Sequence, residues 1–368
     1  MTYGTIAVDS VSTSSGQILG AGNATGFKNR IINGAMVIDQ RNSGASNTPS
    51  TTAAYTYYID RWAYNNSQAS KLTYGQNLNS ATPPSGFTNY FGVQVASTAT
   101  VGSSDYFLIE QSIEGYNIAD LAWGTSSGKT VTLSFWVQSS LTGTFGGSIL
   151  NNGTTESYPF SYSIPTANTW TYCTVTILAP PVGTTWLTNN GRGMFVYFSM
   201  GIGSTFQGPA NTWAAANYGT PTGAVSILGT SGATFYITGV QLEVGSTATS
   251  FDVRDYGREL ILCQRYYQFG GAGSVGLVDG TSSGRCSLGQ NTIVSMRTTP
   301  TINLTSGVYI SVRYQGSDQG ATSPTISFSN TSATGWIAGI NGFSTSLTSG
   351  NAVVERNGNN IINLSAEL

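Results

Sequence analysis

Apolar and polar residues alternate with a period of two along most of this chain, the spacing of half-buried strands. The pattern is clearest in VTLSFWVQSS, where Val131, Leu133, Phe135 and Val137 alternate with Thr132, Ser134, Trp136 and Gln138. It recurs over Tyr106 to Glu114, Thr144 to Leu150, Trp170 to Leu178 and Gly193 to Met200, with Cys173, Val175 and Ile177 on one face. FKNRIINGAMVIDQRNSG predicts a strand, a turn at Asn33-Gly34 and a second strand. Tyr55 to Tyr64 predicts one strand, with Asp60 and Arg61 as an ion pair near a sheet end and Trp62 as a core anchor. In Thr234 to Val244 the phase inverts. Phe235 and Ile237 share one alternation, while Val240, Leu242 and Val244 follow the opposite one. A one-residue bulge at Gly239 restores all of them to one face.

Directly after this strand comes the best helix signal in the chain. Asp255 can cap it, Glu259 suits its N-terminal end, Arg265 its C-terminal end, and Gly270-Gly271 stop it. Leu260, Cys263 and Tyr267 fall near one helical face. The chain thus divides into a thin N-terminal arm (1–25), a large β-rich domain (26–254), a helical joint (255–269) and a second β-rich unit (270–368). The last holds about eight short strands, which suits a small sandwich. The arm carries one short strand and a Gly/Ser/Thr tether, too little to bury a core, and is expected to dock on another protein. No fixed-period repeat emerges, so a propeller or β-helix is not expected.

Composition sharpens this picture. Only 8% of residues are charged, against 39% hydrophobic and 11% aromatic, and the net charge is −2. That combination fits closely spaced strands with small polar turns, and it supplies neither the basic footprint of a nucleic-acid binder nor charge repulsion against self-association. There is no histidine, which removes His-based triads and His metal ligands. Three widely spaced cysteines, Cys173, Cys263 and Cys286, make neither a disulfide framework nor a zinc motif and are expected as buried thiols. The sequence MTYGTIAVDS has no signal-peptide character, and no apolar run reaches the roughly 20 residues of a membrane span. Synthesis in a cytosol, without membrane insertion, is the expectation.

Two motifs imitate chemistry. Glu110 and Glu114 lie on one strand face, but positions four apart are separated by about 13 Å, beyond the roughly 5.5 to 9.5 Å of glycosidase carboxylate pairs. WGTSSGKT resembles a phosphate-binding loop with one spacer residue too few, and it leads into a strand where such a loop must open a helix. No catalytic residue is assigned. A structural calcium ion could rest on scattered carboxylates and loop carbonyls, yet no DxDxDG loop exists and no metal ligand is assigned.

The long loop Gly203 to Gly223 carries Phe206, Trp213 and Tyr218. Loops on a rigid sheet tend to hold binding residues, and aromatic rings there can stack on sugars or else cover the open end of a sandwich. Asn211, Trp213, Asn217 and Tyr218 are the glycan-binding candidates of the first domain, and Tyr314, Asp318 and Trp336, with Gln315 and Gln319 beside them, those of the second.

The ordered motifs NRIINGAMVIDQR, YYIDRW, IEGYNIADLAWG, VTLSFWVQSS, FYITGVQLEVGSTATSF and YGRELILCQRYYQ resemble a module recurrent in tail-fibre and other structural proteins of tailed bacteriophages. SMRTTPTI and the terminal AEL resemble the knob that follows it, so the resemblance covers about residues 27 to 368. It implies an all-β chain: a jelly-roll sandwich similar to carbohydrate-binding modules, a short helix and a distal β-sandwich knob. It also implies assembly as a homotrimer in a virion, with the N-terminal arm docked on other virion proteins. The expected function is a non-enzymatic fibre or adhesin that binds host surface polysaccharide. The alternatives are a purely structural virion component (head decoration, fibre or tail connector), or a polysaccharide-degrading enzyme assembled from distant carboxylates among Asp39, Asp60, Asp105, Glu110 and Asp252.

Overall fold

The computed structural model describes residues 10–12, 18–20, 27–270, 275–278, 286–304, 310–314, 317–343, 352–355 and 362–368, with side chains at 27–52, 55–269, 291–303, 332–335 and 363–368. The fold is all-β with one short α-helix, as the alternation predicts. The chain separates into two compact units, Met1–Tyr256 with Leu368, and Gly257–Glu367.

Two antiparallel sheets make the first unit. One contains β3 (Ala53–Ile59), β4 (Trp62–Asn66), β7 (Tyr106–Glu114), β9 (Gly143–Asn151), β10 (Ser157–Ile164) and β12 (Arg192–Ile202), in the order β10-β9-β12-β7-β4-β3. The other contains β5 (Leu72–Gln76), β6 (Phe91–Val95), β8 (Val131–Ser139), β11 (Thr171–Ile177) and β15 (Thr234–Val244), in the order β11-β8-β15-β6-β5. Between them lies the core. Phe107, Ile109 and Ile113 of β7 and Val196, Phe198 and Met200 of β12 meet Leu133, Phe135 and Val137 of β8 and Phe235, Ile237, Val240 and Leu242 of β15. The Phe135 and Phe198 rings cross edge-to-face at 5.0 Å. Smaller pairs are β1 (Ser10–Ser12) with β2 (Ile18–Gly20), antiparallel, and β13 (Gln207–Gly208) with β14 (Thr220–Pro221), parallel. Apart from β1 and β2, the N-terminal arm lies outside the described residues.

The bulge in β15 stands where the inverted phase puts it. Its register against β8 skips between Thr238 and Gln241, and Gly239 takes φ 62°. The Cys173, Val175 and Ile177 face is buried, and Cys173 and Cys263 are buried thiols, while the Cys286 side chain is outside the described set. The phosphate-loop look-alike is a succession of turns with no helix after it.

The strand predictions of two stretches fail, each for a local reason. Residues 27 to 44 form no ladder, because side-chain amides take the place of strand partners. Asn29 donates to the Val240 carbonyl and accepts from the Ile31 and Leu242 amides. Gln111 clasps Ile32 at both its N–H and its C=O, at 2.9 and 2.8 Å. Asn33 holds Ile38 in the same way. Gly34 is obligatory here, since a Cβ would lie 2.2 Å from the Val240 oxygen. The predicted strand Tyr55 to Tyr64 is instead the hairpin β3–β4, whose two-residue turn is Asp60-Arg61 with Arg61 at φ 68°. Both turn residues are buried. Asp60 accepts from the Gln40 backbone and side-chain nitrogens at 2.7 Å, and Arg61 donates to the Ser112 carbonyl. Trp62 is the fully buried anchor expected.

In the second unit helix α1 spans Tyr256–Gln264, ending short of the predicted boundary at residue 269. Tyr267 to Gly270 is already a strand, β16, so Gly270 continues a ladder and does not stop a helix. β16 joins β24 (Ile362–Ser365) and β19 (Thr301–Leu304) in a three-stranded sheet. The remaining strands are β17 (Val275–Val278), β18 (Cys286–Asn291), β20 (Ile310–Tyr314), β21 (Ser317–Ser332), β22 (Gly335–Phe343) and β23 (Ala352–Glu355). They close into a ring in the order β17-β18-β22-β21-β20-β23.

Candidate functional site

The six-stranded sheet carries a ring-lined cleft on the face turned away from the core. Alternation along β7 sends Phe107 and Ile109 inward and therefore Tyr106, Leu108 and Glu110 outward, and along β12 it does the same for Phe195 and Tyr197. The cleft has a volume of about 200 Å³ and is lined by Tyr55, Asn65, Tyr106, Leu108, Thr154, Tyr197, Ile202, Phe206, Asn217 and Gly219. Its far wall is the loop after β12. That loop is pinned to β10 by Ser157, whose backbone exchanges hydrogen bonds with Ala214 and whose hydroxyl donates to the Ala216 carbonyl at 2.7 Å. Gln207 donates to the Ile202 carbonyl at 2.6 Å, and the Phe206 ring then meets Tyr106 edge-to-face at 6.2 Å. The wall is thus preformed.

Polar groups on this face of the sheet are left with open valences. Asn65 is 7% exposed and lines the cleft, yet its Oδ1 has no hydrogen-bond partner. Glu110, paired in register with Ala63 on one side and Tyr197 on the other, is fully buried, and neither carboxyl oxygen is hydrogen-bonded. Burial lifts its acid to about 8, against the pull of Arg192, so this carboxyl is uncharged at neutral pH. Burial likewise holds the Tyr197 phenol protonated. At the mouth Tyr55 adopts φ 52°, a costly conformation for an aromatic residue, and stacks on Phe195 at 5.8 Å. The Arg192 guanidinium lies 4.7 Å from the Tyr55 ring centre and 4.3 Å from that of Phe195, which fixes this edge of the cleft.

Of the sequence candidates, Asn217 is in the cleft. Trp213 is elsewhere, packed edge-to-face on Trp123, Trp186 and Tyr158 at 5.6, 5.7 and 5.2 Å, with its indole N–H bonded to the Leu178 carbonyl. Tyr218 lies across Gly208, where a Cβ would come within 2.2 Å of its ring. Asn211 is exposed, at φ 57°, and braces Ser161 and Pro159. In the second unit Tyr314 and Asp318 sit across the β20–β21 hairpin, opposite Ser317 and Arg313, while Trp336 lies opposite Gln290 near the other end of β21. The hairpin brings the Tyr314 and Asp318 backbones together but not that of Trp336, and all three side chains fall outside the described residues, as does Gln315. Tyr55, Asn65, Tyr106 and Tyr197 were missed by the sequence reading. The available signal was an aromatic residue where alternation calls for a polar one, as at Tyr106 and Tyr197.

Three of the scattered carboxylates are tied into the scaffold. Asp39 caps the Asn42 and Gly44 amides, Asp105 binds Ser67, Gln68 and the Gly102 amide, and Asp252 accepts from Asn29 and pairs with Arg254. Among the described residues no three acidic or cysteine side chains gather in a group that could hold a metal ion.

Comparison with protein-family models and with curated proteins finds no match. Among solved structures the chain is similar to the enzymatically active domain of tailspike protein 4 of bacteriophage CBA120, at 14% identity and TM-score 0.29, covering 54% of this chain and 22% of that one. The chain thus spans about a fifth of that tailspike domain. It is also similar to the family 11 carbohydrate-binding module of Clostridium thermocellum in complex with a β-1,3-1,4-mixed-linked tetrasaccharide, at 13% identity and TM-score 0.27, covering 55% of this chain and 99% of that one. The N-terminal CBM22 tandem domain of Paenibacillus barcinonensis Xyn10C matches at 9% identity and TM-score 0.28, covering 89% of this chain and 97% of that one.

Proposed function

We propose that this chain is a non-enzymatic adhesin of a tailed-bacteriophage virion, which grips a host surface polysaccharide in the outer-face cleft of its first unit. The observation that carries the reading is the pairing of a preformed, ring-lined hollow with an uncommitted buried acceptor, Asn65 Oδ1. An unpaired buried oxygen is costly, and a sugar hydroxyl satisfies it while the rings of Tyr106 and Phe206 cover the apolar faces of the pyranose. A lining without a charged residue favours a neutral sugar. The chain acts as a homotrimer attached through residues 1–25 to other virion proteins, assembled in the host cytoplasm, with no need for metal, nucleic acid or membrane insertion. Gripping without bond cleavage agrees with Asp39, Asp105 and Asp252 each being tied into the scaffold.

A glycan array followed by calorimetric titration of the best hit tests this reading. Asn65→Ala and Tyr106→Ala are each expected to weaken binding about tenfold, the worth of one lost hydrogen bond or contact ring. Absence of any glycan ligand, with the protein decorating capsid or collar, would leave the purely structural alternative. Affinity untouched by both substitutions would place the site elsewhere.

A further inference from the structure

The opposite sheet carries a second hollow, of about 260 Å³, on its own outer face. The bulge in β15 creates it. Gly239 presents no side chain there, and a Cβ would come within 2.6 Å of Phe87 Cζ and 3.1 Å of Trp136 Cδ1. Trp136 and Tyr172 face each other in register across β8 and β11, with ring centres 5.2 Å apart. Phe87 and Phe251 form the facing wall, edge-to-face at 5.1 Å, and Ser134, Thr249 and Ser250 complete the lining. No lining residue is charged. Glu243, beside them on β15, is tied to Gln241 and to the amide and hydroxyl of Thr249, and the Lys28 ammonium is bound to the Ser250 carbonyl.

The tryptophans of the first unit provide an internal standard. Trp62 donates its indole N–H to Asn33, Trp123 to Lys129, Trp170 to Thr82, Trp186 to Thr184 and Trp213 to Leu178. Trp136 alone among the tryptophans with described side chains donates to nothing, although its ring is half-buried against Tyr172, itself 45% exposed. A tryptophan serving only to pack normally finds an acceptor for its N–H. Here the free indole N–H and the half-exposed Tyr172 ring line one uncharged hollow.

We propose that this hollow is a second saccharide-binding site, independent of the cleft and selective for a neutral hexose, which stacks on Trp136 and Tyr172 and accepts the Trp136 N–H. The proposal rests on the glycan-binding reading above but concerns a different face. With sites on both outer faces, one chain grips two segments of a polysaccharide, and repeated weak contacts add through avidity.

The full chain labelled with nitrogen-15 at tryptophan tests it, by indole N–H spectra during titration with cellotetraose, maltotetraose and galactotetraose to about 10 mM, well into the range of weak single sites. The Trp136 signal is assigned by its loss in Trp136→Phe. It is expected to shift saturably with at least one tetrasaccharide, in the native chain and equally in Asn65→Ala, while the Trp213 signal stays in place as a control for folding. Tyr172→Ala is expected to weaken that shift about tenfold and to leave calorimetric binding at the cleft intact. The proposal is overturned, with the cleft reading standing, if saccharide binds while Trp136 stays unmoved, or if the Trp136 shift disappears in Asn65→Ala. It is overturned in favour of a contact between copies if the Trp136 signal changes with protein concentration alone. If no tetrasaccharide shifts any tryptophan and calorimetry shows no glycan binding, both readings fall.

Discussion

Glu110 is the residue whose surroundings differ most from its chemistry. A carboxyl group with no exposure and no hydrogen bond is stable only as the neutral acid, and burial places its ionisation at about 8 where an ordinary glutamate ionises near 4.5. In the unfolded chain the group ionises at the lower value, so the folded state holds the extra proton between the two. Stability from this site is therefore complete below about 4.5, declines as pH rises through the window and levels off above about 8. Glu110→Gln, neutral at every pH, removes that decline. Urea denaturation at about pH 5 and about pH 8.5 is expected to show the variant gaining on the native chain by on the order of 1 to 3 kcal/mol. Equal midpoint shifts for both proteins would show that the carboxyl is solvated.

At the scale of elements, the loop after β12 decides between two roles for its aromatic residues. Trp213 is enclosed by Trp123, Trp186 and Tyr158 with its N–H satisfied, the arrangement of a ring that seals the end of a sandwich. Trp213→Ala is expected to cost about 2 to 4 kcal/mol in chemical denaturation and to leave glycan affinity unchanged. A loss of affinity without loss of stability would restore it as a binding residue. The strands with plain alternation, β7, β8, β11, β12 and β15, were legible because one face of each enters the core, and even the bulge at Gly239 announced itself as an inverted phase. Residues 27 to 44 were not, since Asn29, Asn33 and Gln111 bond to backbone groups distant in sequence, and no local pattern records such partners. The β3–β4 hairpin was hidden by a turn, Asp60-Arg61, without the glycine or asparagine that usually marks one. The cleft was harder still. It assembles single residues from β3, β4, β7, β12 and the following loop, so alternation could say that Tyr106 and Tyr197 point outward but not that they meet. From the loop reading, Asn217 and the Phe206 ring carried over.

For the whole molecule, scarcity of charge is the dominant fact. With 8% charged residues and a net charge of −2, little repulsion opposes association of like chains. Multi-angle light scattering of the purified full chain is expected to give three times the 38.5 kDa of one chain, with little dependence on salt. A single-chain mass at working concentrations would remove the trimer and with it the fibre geometry. The ring of six strands in the second unit bears on what happens when copies of the chain lie close together. A closed circuit leaves no first or last strand and so no row of unsatisfied amides on which a neighbouring chain could grow a fibril. Crowding many copies side by side then carries little risk of templated misassembly through that ring, even though few like charges hold the copies apart.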